Sequence, residues 1–285
     1  MEQLPYLRSL VIRDPVPSDD IEAILESAPQ LERLGVTMRK AFNIWLASPS
    51  LMTPQTWISQ YPHLRAADWI KWSIPSLEAA KKMGTHNLQK VCLENASDES
   101  LDLVASVFPH LNNLKIQVFN CSDHFDFPVT RLRRLRVVRF PRKASLLADK
   151  VENIRGSPMS LCRFIAKNKQ LEYLALTFID WELIAKDVQS LQCLRILKVP
   201  SLLPDELKLI LESYPQLERL HFTPKFFSDS DPNTHLFPQY REIIMSHSSI
   251  VFRLKLESEK YPYVKIGQAV VGWYELYEKR LVSLE

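Results

Sequence analysis

The six letters PQLERL stand at residues 29–34 and again at 215–220. A catalytic motif rarely occurs twice in one chain, whereas a structural part that needs a copy of itself alongside does. The frame behind the six letters is x-x-L-x-x-L-x-Φ, with Φ apolar. It reads PYLRSLVI at Leu7, PQLERLGV at Leu31, PHLRAADW at Leu64, HNLQKVCL at Leu88 and PHLNNLKI at Leu111. It continues as TRLRRLRV at Leu132, KQLEYLAL at Leu171, QCLRILKV at Leu194 and PQLERLHF at Leu217, with a weaker tenth, SIVFRLKL, centred on Val251. Successive anchors are 21 to 39 residues apart. That period marks stacked supersecondary units, none of which buries its apolar face alone.

Each unit reads as a strand followed by a helix. The last two apolar positions, Leu10 and Ile12 in the first unit, are two apart and face one side of a strand. SDDIEAILESAP reads as a helix with Ser18 or Asp19 as N-cap and Ile21, Ile24, Leu25 and Ala28 on one face. SDESLDLVASVFP repeats this with Leu101, Val104, Ala105 and Phe108, and PDELKLILESYP with Leu207, Ile210, Leu211 and Tyr214. The proline after several of these segments stops the helix and launches the next strand.

These residues resemble the leucine-rich repeat family. The irregular unit lengths are similar to the ribonuclease-inhibitor-like and F-box-associated subclass, and LPYLRSLVI, APQLERLGV and FPHLNNLKI to the strand starts of fungal F-box leucine-rich proteins. The resemblance covers about residues 4–257. It implies an α/β leucine-rich repeat solenoid, with parallel strands on a concave face and helices outside. Right-handed crossovers follow from the general rule for parallel strands. The family's asparagine after the last apolar position is missing: Pro15 and Ala96 stand near where it is expected. No F-box helix pattern precedes the repeats, so contact with a ubiquitin-ligase adaptor requires such a module upstream.

The ends are expected to differ. In VKIGQAVVGWYELYEKRLVSL, Ile266, Ala269, Val270, Trp273, Leu276, Tyr277 and Leu281 keep helical spacing, so residues 258–285 read as a helical cap on a repeat region of residues 1–257. The first strand begins almost at once and leaves an open edge for a preceding module or a partner. Trp45, Trp57, Trp69 and Trp72 cluster in the long third interval and read as core filling.

Composition removes several function classes. Of the 285 residues only 5 are glycine and 19 are proline. No G-x-G-x-x-G or G-K-S/T phosphate loop is present. No apolar run approaches the ~18 residues of a membrane span, and the start lacks a secretory pattern. Cys92, Cys121, Cys162 and Cys193 are scattered, which suits reduced thiols in a cytoplasmic or nuclear protein. The sequons at Asn95 and Asn120 are discounted for want of a signal. Cys121, Asp123, His124 and Asp126 crowd one loop, but no second cluster completes a metal site. His63 and His110 hold the same slot before an anchor leucine and read as repeat residues rather than bases. No catalytic set can be assembled, so no enzyme, cofactor or metal is expected.

The residues two, four and six after each anchor point to the concave face. The cations there are Arg13, Arg33, Lys90, Lys115, Arg134, Arg136, Lys198, Arg219, Arg253 and Lys255, and the anions Asp68, Glu94 and Glu257. Ten against three leaves +7, compared with +3 for the whole chain. Lys115 beside Arg136, and Lys198, His221 and Lys255 in series, repel across strands ~4.8 Å apart, which favours an acidic or phosphorylated protein client. Nucleic acid is disfavoured because the aromatics keep core spacing rather than interleaving with the cations. The expectation is a non-catalytic protein-recognition domain for a cullin-type ubiquitin ligase, as the resemblance implies. The alternative is an interaction scaffold unrelated to ubiquitin.

Overall fold

The structure, a computed structural model, describes residues 4, 6–15, 18–37, 61–139, 158–176, 190–224, 236–247 and 249–254. The chain is an α/β protein with parallel strands, and it divides into two compact units. Met1–Leu132 with Pro141–Gly156 form the first, and Arg133–Phe140 with Ser157–Glu285 the second.

In the first unit β1 (Ser9–Pro15), β2 (Arg33–Thr37), β3 (Ala66–Trp72), β4 (Lys90–Ala96) and β5 (Asn113–Phe119) lie side by side in chain order, every pair parallel. A parallel neighbour needs a crossover, and α1 (Ser18–Ser27), α2 (Ile74–Met83) and α3 (Asp98–Val107) supply it after β1, β3 and β4. The second unit repeats the plan. Its strands are β6 (Arg134–Arg139), β7 (Tyr173–Leu176), β8 (Ile196–Leu202), β9 (Arg219–Pro224) and β10 (Val251–Leu254). Its helices are α4 (Pro158–Lys167), α5 (Pro204–Ser213) and α6 (Leu236–Ser246).

The anchor leucine begins each unit for a structural reason. Its N–H closes a turn onto the carbonyl three residues back: Leu31 to Ala28 at 3.0 Å, Leu111 to Phe108 at 3.1 Å, Leu171 to Asn168 at 3.1 Å and Leu217 to Tyr214 at 3.0 Å. The next two apolar positions enter the core. Val91 and Leu93, Leu114 and Ile116, Leu197 and Val199, and Leu220 and Phe222 are all buried, each contributing about 1.5–3 kcal/mol. The helices meet them with Ile21, Leu25, Leu101, Val104, Leu207, Ile210 and Leu211, and Ala28, Phe108 and Tyr214 follow at their ends. Ile24 and Ala105 are only half-buried, while Leu103 and Val107 join the core unforeseen. Gly84 ends α2 with φ 106°, a conformation strained for other residues.

The third residue of several helices carries a buried cap. Ser100 Oγ accepts the Ser97 N–H at 2.8 Å and reaches the carbonyls of Asn95 (3.1 Å) and Ser97 (3.0 Å). Ser76 does the same for Ser73, accepting its N–H at 2.9 Å and donating to its carbonyl at 2.8 Å. Ser160 is buried in the same slot of α4. In α5, Glu206 takes over and accepts the Leu203 N–H at 2.6 Å. These side chains satisfy backbone groups between strand and helix.

Two strands depart from the expected register. Ala66 pairs with Lys90 as expected, but Lys71 then faces Cys92 and Trp72 faces Leu93. Three extra residues bulge out of β3 between Ala66 and Lys71, and Ile70 and Trp72 fill the core. Trp72 packs edge-on against Phe108, with centroids 5.1 Å apart. Asp68 is therefore not the residue aligned with Cys92 and Lys115; Lys71 is. In the last unit Val251 is not the anchor. The Ile250 N–H closes the turn onto His247 at 3.1 Å, Val251 pairs with Arg219, and Phe252 fills the place beside Leu220. The strand is shifted by two residues, which keeps its facing but changes its neighbours.

Of the four clustered tryptophans, Trp72 is in the core, and Trp45, Trp57 and the Trp69 side chain lie outside the described residues. So does the expected cap at 258–285. Among the described residues β1 pairs on one side only, and Tyr6 before it and Val11 within it are exposed. No described helix is long and apolar enough to cross a membrane.

Candidate functional site

Because strand side chains alternate, the positions between the buried ones form an open face on each unit. On the first unit Lys90 lies between Ala66 and Asn113, and Lys115 lies opposite Cys92, which in turn faces Lys71. Arg33 pairs with Ser9 and Ala66. Glu94 is exposed further along β4, so this face mixes cations with an acid.

The second unit is more one-sided. One row across its five strands runs Arg134, Tyr173, Ile196, Arg219 and Val251. The next runs Arg136, Ala175, Lys198, His221 and Arg253. Neither row holds an aspartate or glutamate. The expected series Lys198, His221, Lys255 is corrected: Arg253 stands opposite His221, because Phe252 rather than Leu254 seats beside Leu220. Lys255 lies outside the described residues, as does the Arg253 side chain. Arg134, Arg136 and Arg219 are exposed, and Lys198 and His221 are half-buried. Lys198 Nζ sits 5.5 Å from the centre of the Tyr173 ring, which offsets part of its charge through the ring face. Lys115 belongs to the first unit and Arg136 to the second.

The position just after each anchor behaves differently. Its backbone starts the ladder: Glu172 N and Tyr173 N both donate to Arg133 O, and Arg195 N and Ile196 N to Glu172 O. Its side chains alternate in sign. In the first unit Glu32 stands 3.6 Å from Arg8 and 3.7 Å from Arg65. In the second, Arg133 and Glu172 are 3.6 Å apart, and Arg195 Nη1 donates to Glu218 Oε1 at 2.9 Å. The pairs are exposed, so each contributes ~0.2–1 kcal/mol. This order was missed, although R-E-R at residues 8, 32 and 65 and R-E-R-E at 133, 172, 195 and 218 are visible once the anchors are aligned.

The crowded loop after β5 is built for structure. The Cys121 thiol is buried and donates to Ala96 O at 3.3 Å. Burial first, then the Asp98 carboxylate, push its pKa well above the ordinary thiol value, which leaves it a poor nucleophile and a poor metal ligand. Asp98 accepts from Ser122 N at 2.9 Å and Ser122 Oγ at 2.6 Å, tying the loop to the start of α3. Among the described residues no three histidine, cysteine, aspartate or glutamate side chains converge on a metal position. Burial likewise raises the Tyr214 phenol.

No protein family matches this chain, and no curated protein is significantly similar to it.

Proposed function

We propose that this chain is a leucine-rich repeat solenoid of the ribonuclease-inhibitor-like, F-box-associated kind. It works as a non-catalytic protein-recognition domain, in the cytoplasm or nucleus, with the strand side as its concave binding face. Its client is an acidic or phosphorylated protein segment, presented to a cullin-type ubiquitin ligase whose adaptor docks on an F-box module. The observation that carries the recognition part is the second unit's open face. Arg134, Arg136, Lys198, Arg219 and Arg253 occupy two registered rows with no acid in either. Strands ~4.8 Å apart lie within the ~8 Å screening length of physiological salt, so the row of Lys198, His221 and Arg253 holds a field that a bound anion relieves.

The test is capture by the full-length gene product, quantified by mass spectrometry, with Arg136→Glu/Lys198→Glu beside wild type. Loss of an acidic client with unchanged circular dichroism is expected. Unchanged capture by the folded double variant overturns the recognition reading. A captured client without any ligase adaptor leaves the interaction scaffold in place of the ligase assignment.

A further inference from the structure

A groove of ≈ 400 Å³ opens in the first unit at the starts of its strands. Four of its lining residues, Gln30, His63, Asn87 and His110, each precede an anchor leucine. Four more, Arg8, Glu32, Arg65 and Gln89, each follow one. The repeat thus sets two lines of polar side chains facing each other across the turns. Pro62 completes the lining.

Several donors of the lining have no hydrogen-bond partner among the described residues. Arg8 and Arg65 meet only Glu32 among the described residues, at 3.6 and 3.7 Å, too long for hydrogen bonds. His63, His110 and Asn87 make no side-chain hydrogen bond among the described residues. Two guanidinium groups against one carboxylate leave the groove positive, with Glu32 standing between Arg8 and Arg65. On the side of Arg65 away from Glu32, the lining formed by His63, His110, Asn87 and Gln89 adds no further carboxylate. Ligand pockets of this size are ordinarily apolar, so a polar lining selects an ion. No phenylalanine, tyrosine or tryptophan lines the groove, which removes the stacking a nucleobase uses. Its histidines and glutamate form no metal set. A guanidinium fork with surrounding N–H donors suits the three oxygens of a phosphomonoester.

We infer that the half-groove around Arg65 and His63 binds the phosphate of a phosphorylated serine or threonine on the client protein. This deepens the recognition reading and rests on it only for the bearer of the phosphate.

The experiment is a nuclear magnetic resonance titration of the full chain with N-acetyl-phosphoserine N-methylamide. Inorganic phosphate and the serine and aspartate analogues run in parallel. The phosphoserine probe is expected to shift the Arg65 Nε–H and the His63 and His110 ring signals. Arg65→Ala should weaken binding about tenfold or more. Arg65→Lys, which keeps the charge but loses the fork, should weaken it nearly as much, and guards against a folding artefact. Arg136→Glu/Lys198→Glu should leave the probe's binding intact, so failure of the strand-face reading and failure of this one are separate results. Absence of these shifts, equal binding of the serine or aspartate analogue, or indifference to both Arg65 variants overturns the phosphate seat. Equal binding of inorganic phosphate overturns the protein-borne source.

Discussion

Replacing Ser100 by alanine tests the device that joins strand to helix. At a helix start the N-cap side chain ordinarily does most of the work, which points to Ser97. The geometry reverses that order. Ser97 Oγ accepts only a long 3.3 Å bond from Ser100 N. Ser100 Oγ accepts the Ser97 N–H at 2.8 Å and is within reach of two carbonyls, in a residue with no exposed surface. Ser100→Ala removes the cap, about 1 kcal/mol, and strands a part-buried N–H, about 1–3 kcal/mol more. Alanine's better helix propensity returns ~0.5 kcal/mol. The net loss is therefore about 2 kcal/mol, against ~0.5 kcal/mol for Ser97→Ala, where one weak bond goes. Urea unfolding followed by far-ultraviolet circular dichroism measures both, and hydrogen exchange of the Ser97 amide reports the stranded donor. If Ser97→Ala costs as much as Ser100→Ala, or the Ser97 amide stays protected in Ser100→Ala, the reasoning is refuted.

Four further outcomes follow from the same geometry. An alanine double-mutant cycle at Arg195 and Glu218 should give a coupling of ~0.2–1 kcal/mol that vanishes in 1 M salt, where screening falls to ~3 Å; zero coupling at low salt removes the charge ladder. A thiol reagent should label Cys193, which is exposed, in the native chain, and Cys92, Cys121 and Cys162 only after unfolding. Because the Cys121 pKa is raised on folding, its contribution is fully present below the ordinary thiol value of 9.0 and is lost as pH climbs past it toward the folded value, so urea midpoints should fall on the alkaline side. Val251→Asp should change stability by under ~0.5 kcal/mol and Phe252→Ala should cost ~3–5 kcal/mol; the opposite order would restore Val251 as the anchor.

Much of this architecture was legible from the leucines. Their spacing places the strands, their order and the face each one buries, because a parallel repeat needs an apolar residue at every strand start and two more at alternate positions. Register failed where that chemistry was diluted. In β3, Ala67 stands where the second leucine belongs, and the apolar pair two apart that signals a seated strand is Ile70 and Trp72. In the last unit three apolar residues run together, Ile250, Val251 and Phe252, and only packing decides which of them turn inward. The caps were legible too. S-x-x-S recurs at residues 73–76, 97–100 and 157–160, a signature of reciprocal capping that a search for the family's asparagine passes over. The groove in the first unit was hidden because its lining residues flank the anchors. Single positions there look like ordinary turn chemistry, and only stacking brings four of each line together.

The charge pattern bears on function through a contrast inside one unit. At the position after the anchor the chain alternates arginine with glutamate, and neighbours from separate strands meet at 2.9 and 3.6 Å. In the two registered rows across the unit's strands it places five cations, a histidine and no acid. Solubility alone is satisfied by either arrangement, and stability favours the alternating one, since like charges directly opposite on paired strands destabilise. A sequence that alternates sign along one line and places only cations and a histidine among the charged residues of the adjacent rows sets like charges near one another on the open face. On the proposed reading, an anionic partner would relieve that repulsion. The contrast between lines, rather than the net charge of +3, is therefore what favours recognition over a merely solvated surface.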